Sequence, residues 1–141
     1  MIEIVPFQAF HLEMITLQGS QQFMSPLLTK QYGQALQHAG SCWTAFAGTH
    51  VIACAGVVWF WEGRAQVWSL LSMEMSTYRK SIHKAVKGFL ENYRIARLEC
   101  IVDPRSVESM RWAEHLGFHL ERPMPKYNPD GSTQLMYVRI E

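Results

Sequence analysis

The sequence carries little charge and no excess of either sign: Lys+Arg number 13 against 12 Asp+Glu, and only 18% of residues are charged. Binding to nucleic acid normally needs a broad positive surface or a recognised reader motif, and neither is present. No stretch approaches the ~18 consecutive apolar residues of a membrane span. Neither end shows a basic stretch leading into an apolar run, so an unprocessed chain that stays in the cytoplasm is expected. Cysteines are few as well. Cys42, Cys54 and Cys100 are odd in number and far apart, as for reduced thiols in a reducing compartment. His115 and His119 have a spacing that suits a metal on one helix, but Gly117 and Phe118 interrupt it and no second ligand pair follows, so no metal is expected.

What is abundant is apolar: 48% of 141 residues, 12% aromatic. A chain of this length buries roughly two-thirds of its unfolded surface, enough for a core without staples. A single domain over residues 1–141 is the expectation.

The order of elements follows from periodicity. Ile2 to Val5 alternates and meets Pro6, as an edge strand would. Phe7, Phe10 and Met14 predict a first helix that ends at Gln18-Gly19-Ser20. Ser25 and Pro26 read as the cap and first position of a second, with Leu28, Tyr32, Ala35 and Leu36 on one face and Gly40 closing it. From Cys42 the period drops to two. Cys42–Ala47, His50–Trp61 and Ala65–Ser72, separated by Gly48-Thr49 and Glu62-Gly63, read as an antiparallel meander.

A helix starting near Ser76 or Thr77 is the most strongly periodic, with Tyr78, Ile82, Val86, Phe89, Leu90 and Tyr93 on one face. Leu98–Val102 is a nearly continuous apolar run, as expected of a central strand. Asp103-Pro104 reads as the start of another helix, with Val107, Met110 and Leu116 pointing inward and Gly117 as its left-handed end. Phe118–Arg122 and Gln134–Ile140 read as strands joined through the turn signal Asn128-Pro129-Asp130-Gly131. Strand and helix runs mixed in this way give an α+β or α/β domain on one main sheet.

That order, with a helix directly after the fourth strand and the run Ser106 to Phe118 before the sixth, resembles the N-acetyltransferase (GNAT) superfamily. The resemblance implies a mixed, mostly antiparallel sheet of about seven strands flanked by about four helices. Leu116-Gly117-Phe118 is its best-kept piece; where the family commonly has Asn, a small residue and Tyr along this helix, this chain has Ser106, Ser109 and Ala113. A narrower likeness, to small internal virion proteins of short-tailed phages, is carried by Tyr78-Arg79-Lys80, Glu91-Asn92-Tyr93, Leu116-Gly117 and the run Asp130-Gly131 to Gln134-Leu135. It would place the protein in a host cytoplasm or a virion.

The superfamily resemblance implies acetyl-CoA or CoA as cofactor, held by a loop with two small residues after a Gln or Arg. The matching run is Arg79, Lys80, Ser81, Ile82, His83 and Lys84: the Arg fits, and Ile82 and Lys84 replace the small residues. Their bulk either holds a phosphate off the backbone or turns away and leaves the amides accessible. Leu70, Leu71, Ser72 and Met73 would run along the pantetheine arm and supply a backbone N–H for the oxyanion. Glu74 is the candidate base that frees the amine, with Glu62 behind it, and Ser109, His115 or Tyr78 would have to protonate the leaving thiolate in place of Ala113.

Residues 76–94 hold five basic side chains (Arg79, Lys80, Lys84, Lys87, Arg94) against Glu91. Such a face is a solvated surface, a phosphate site or a dock for an acidic partner. Two cations near a helix's positive end cost a few tenths to about 1 kcal/mol unless an anion joins them. Tryptophans in a small domain are mostly core, and Trp59, Trp61 and Trp68 are so expected, with Trp112 off the inward stripe. Two functions follow from the resemblance. One is an acetyl-CoA-dependent transferase acting on a small-molecule or protein amine. The other is the same scaffold without turnover, contacting other virion proteins.

Overall fold

Each run of period-two apolar residues becomes a strand. The computed structural model describes residues 1–141 and contains β1 (Glu3–Pro6), β2 (Cys42–Ala47), β3 (His50–Trp61), β4 (Arg64–Leu71), β5 (Arg97–Val102), β6 (His119–Met124) and β7 (Gln134–Ile140). They form one seven-stranded sheet in the order β1-β2-β3-β4-β5-β7-β6. The pairs β1–β2, β2–β3, β5–β7 and β6–β7 are antiparallel, and β4–β5 is parallel. This is the mixed, mostly antiparallel sheet that the superfamily resemblance implies. β5 lies inside it, which explains its apolar run. The helices are α1 (Lys30–Ala39), α2 (Arg79–Glu91) and α3 (Val107–His115).

Several helical expectations are corrected. Residues Ala9–Glu13 form a 3-10 segment where the first α-helix is expected, and a second 3-10 segment, Gly19–Leu27, runs through the expected end of that helix and takes in Ser25 and Pro26, the expected start of the next. Five residues after Pro6 are too few to propagate an α-helix, and Gly19, Ser20, Ser25 and Pro26 are poor formers in the second. The cap of α1 is therefore Thr29, whose Oγ1 accepts the Tyr32 N–H at 3.2 Å, rather than Ser25. A further 3-10 turn, Met75–Tyr78, precedes α2, which starts at Arg79. Asp103 caps a turn, accepting the Arg105 N–H at 2.8 Å, while Ser106 caps α3 through the Ser109 N–H at 3.2 Å. Val107, expected to point inward, is 54% exposed at the first position of the helix, and Ala113 is its buried residue. Gly117 has φ +94°, the left-handed conformation expected at the end of α3.

The chain divides into two compact units: residues 1–59 with 68–93, and residues 60–67 with 94–141. In the first, Phe7, Leu12, Ile15, Leu17, Leu36, Val51, Cys54 and Leu70 form the core, each large side chain contributing on the order of 1.5–3 kcal/mol by burial. Gly33 lets α1 approach the 9–13 segment: a Cβ there would lie 2.9 Å from the Ala9 Cα. His11 is buried in this unit, its Nδ1 accepting the Gln8 N–H at 3.0 Å and lying 2.8 Å from the Thr44 hydroxyl. All three cysteines are free, and burial pushes the Cys54 thiol up to about 12.

The second unit packs Met124, Met136 and Val138 with Ile101. It also buries a carboxylate that interrupts the apolar run of β5. Glu99 is 1% exposed and accepts two hydrogen bonds from Arg64, at 2.7 and 3.0 Å, and one from Arg97 at 2.6 Å; Arg97 also grips Glu121. The Arg64 guanidinium, first of all, and then that of Arg97 hold the Glu99 carboxyl below the usual range against the opposing effect of burial. The tryptophans are less buried than expected. Trp43, Trp59 and Trp61 are 38%, 41% and 62% exposed. Trp43 stacks edge-on to Phe89 and Trp59 lies against Tyr93, whereas Trp61, with Phe60, lies under the Arg64 guanidinium.

Candidate active site

Tyr78 precedes α2 without making a side-chain cap, and the first turn of the helix holds no acidic residue. The leading amides of α2 therefore have no side-chain cap at Tyr78 and keep the partial positive charge of a helix start. The helix start borders a pocket of about 490 Å³ lined by Ser76, Thr77, Tyr78, Arg79, Lys80 and Ser81. Arg79, Lys80 and Ser81 are exposed and Tyr78 is half-buried. Ile82 is 3% exposed and belongs to the buried side of the helix, and Lys84 is on its exposed side; neither lines the pocket. His83 is half-buried. The two side chains that replace the small residues thus project away from this opening.

The other half of the expected site is occupied by the chain itself. Leu70, Leu71 and Ser72 are buried and Met73 is exposed. The Leu71 N–H donates to Gln21 Oε1 at 2.7 Å, the Ser72 N–H to the Ile52 carbonyl at 2.9 Å and the Met73 N–H to the Thr16 carbonyl at 2.9 Å. Three amides expected to face a thioester already have partners. Gln18, Gln21 and Thr16 are residues that sequence reasoning missed. They lie about fifty positions from β4, and no periodicity links them to it.

Glu74 follows the end of β4, with its Oε2 3.1 Å from His50 Nδ1; both side chains are at least half exposed. Its N–H donates to Ser72 Oγ at 3.1 Å. A solvated pair of this kind adds little stability, so its geometry leaves the carboxylate accessible. Ser109 lies in the second unit, where its Oγ accepts from the Ser106 hydroxyl at 2.8 Å. Its N–H also donates to that hydroxyl oxygen, so Ser109 completes the cap of α3. His115 and Glu62 are exposed. No cluster of three or more His, Cys, Asp or Glu side chains is arranged to hold a metal. No helix is long and apolar enough to cross a membrane.

Solved structures match this architecture end to end. Ard1 from Thermoplasma volcanium superposes with a TM-score of 0.79 at 14% identity, covering 99% of this chain and 97% of that one. The fold is that of the GNAT acetyltransferases. A GNAT family acetyltransferase from Bacillus anthracis gives 0.70 at 14% identity over 99% and 94% of the two chains. A GNAT family acetyltransferase from Elizabethkingia anophelis with acetyl-CoA bound gives 0.68 at 12% identity, over 99% and 98%. No protein-family model matches the sequence, and neither does any curated protein. Likeness at this level of identity establishes the GNAT fold alone.

Proposed function

We propose that the protein is a GNAT-type acyltransferase that uses a CoA thioester, acetyl-CoA in the first instance, to acylate an amine. The observation that supports this reading most is the start of α2, which has no side-chain cap from Tyr78 and no acid in its first turn, with Arg79, Lys80 and Ser81 lining a pocket. Two cations at the positive end of a helix are unfavourable alone and become favourable around a diphosphate, which would also accept from the leading amides. When bound, the thioester supplies the acyl group and a thiolate that leaves readily.

The chain's own residues have separate tasks in this reading. Arg79 and Lys80 neutralise phosphate charge, and Ser81 offers a hydroxyl to it. Glu74, steadied by His50, takes a proton from the ammonium so that a neutral amine attacks the carbonyl carbon. The new C–N bond forms as the C–S bond breaks; the second amine proton passes to solvent, and the departing thiolate takes its proton from water, since Ala113 has none to give. An N–H of β4 holds the oxyanion, which requires one of the occupied amides to be released.

A thiol-release assay with acetyl-CoA and a panel of polyamines, amino acids and peptide amines tests the proposal. Turnover above the amine-free rate, reduced at least about tenfold in Glu74→Gln with unchanged CoA affinity, is expected. No release with any amine removes the transferase reading. A second reading is a scaffold without turnover, in which these amides stay occupied. Its proposed setting, contact with other proteins of a phage particle, rests on the short motifs alone. Absence of the protein from purified particles and assembly intermediates would end it.

A further inference from the structure

Pairing of β4 with β5 runs from Arg64–Arg97 to Val67–Cys100 and stops there. Beyond it, β4 continues through Leu71, and its edge is met by residues 16–21. Gln21 Oε1 accepts the Leu71 N–H at 2.7 Å and its Nε2 donates to the Ser69 carbonyl at 2.9 Å. The Gln18 N–H donates to the Leu71 carbonyl at 2.8 Å, and Thr16 takes the Met73 N–H. Leu17 and Ser72 form an isolated antiparallel bridge. The opposite edge carries the bond from Ser72 to Ile52 of β3.

We infer that residues 19–21 are a removable cap on this edge, latched by Gln21 onto Ser69 and Leu71, and that an extended chain of secondary amides takes their place. The inference rests on the proposed use of CoA, whose pantetheine arm is such a chain. A strand that joins a sheet edge offers a donor and an acceptor to residues two apart. The Gln21 carboxamide offers that same pair to Ser69 and Leu71, so it holds the place of a ligand amide and competes with it.

Gln21 itself sits on a weakly held segment. Gly19–Leu27 is a 3-10 stretch that fully buries no residue, rests the half-buried Met24 on the core, contains Pro26 and leaves Phe23 and Leu27 exposed. Few buried contacts oppose its opening. Residues below it are anchored, since Leu12, Ile15 and Leu17 are in the core. Release therefore swings at Gln18–Gly19, and Gln21 is the bond that sets its cost.

The test titrates CoA into isotopically labelled wild type, Gln21→Ala and Gln21→Glu. The cap predicts that Gln21→Ala binds CoA about tenfold tighter than wild type, since the latch no longer competes. It also predicts faster hydrogen exchange at the Leu71 amide in Gln21→Ala without ligand. Gln21→Glu, which keeps the acceptor and loses the donor, is intermediate. In wild type, CoA shifts the Gln21 side-chain amide resonances, a readout that decides the matter even where a variant does not fold. CoA binding with Gln21 resonances unmoved, or with equal or weaker affinity in Gln21→Ala, overturns the cap and leaves the cofactor reading intact. No binding to wild type or variant at millimolar CoA overturns both, and binding to Gln21→Ala alone supports the cap.

Discussion

The start of α2 and the free edge of β4 lie in the same unit, and the fold assigns both to one ligand in the proposed reading, yet the chain treats them oppositely. At α2, Tyr78 makes no side-chain cap, acids are absent from the first turn, and Arg79, Lys80 and Ser81 line a pocket. At β4, a carboxamide and two backbone groups from residues 16–21 hold the edge. One half of the site thus presents exposed cationic side chains to a pocket, and the other is held by the chain itself.

The comparison is sharpened most by Ile82. Its replacement by a small residue restores what the superfamily pattern has at this position, yet the side chain is buried and does not line the pocket. Ile82→Ala is expected to cost about 2–5 kcal/mol in chemical denaturation and to leave CoA affinity within about twofold. A gain of tenfold in affinity would show that its bulk does obstruct the phosphates. Next in size, Gln21→Ala removes two hydrogen bonds at the closed edge and should lower stability by about 1–2 kcal/mol. A loss below a few tenths would mean that the edge is not held.

Acid opens a closed place in the same unit. Burial holds the His11 pKa below its ordinary 6.5, and Nδ1 accepts a backbone N–H that a protonated ring would repel. The unfolded chain takes up a proton near pH 6.5 that the folded one refuses, so this contribution is present above that pH. It is lost as the pH falls from there through the lower folded value. Urea midpoints measured between pH 7.5 and 5 should decline for wild type and decline less for His11→Gln. The smallest effect belongs to Lys84, exposed and off the pocket, where Lys84→Ala should change CoA affinity by less than about twofold.

The strands were the most legible part of the sequence. β3 runs from His50 to Trp61, between the two turn signals that bound it. A strand's period and its turns are both local, so neighbouring residues carry them. Helix starts were less so, because Ser25 and Thr29, or Asp103 and Ser106, are equally good caps in isolation and tertiary placement chooses between them. Within the site, Arg79 and Lys80 were readable as cations at a helix start. Gln21 was not: its partners, Ser69 and Leu71, are 48 and 50 residues away, and glutamine in an aperiodic stretch announces nothing. Glu99 was hidden for the same reason, its charge answered by Arg64 from 35 residues earlier.

The central claim is that the opening of α2 holds the diphosphate of CoA. Calorimetry of CoA at low ionic strength against wild type and the Arg79→Glu, Lys80→Glu double variant tests it most directly. The account predicts measurable binding to wild type, weakened at least about tenfold per reversed charge, with the variant's thermal unfolding still cooperative. Equal affinity in the two proteins, or no heat at millimolar CoA from either wild type or Gln21→Ala, would contradict it.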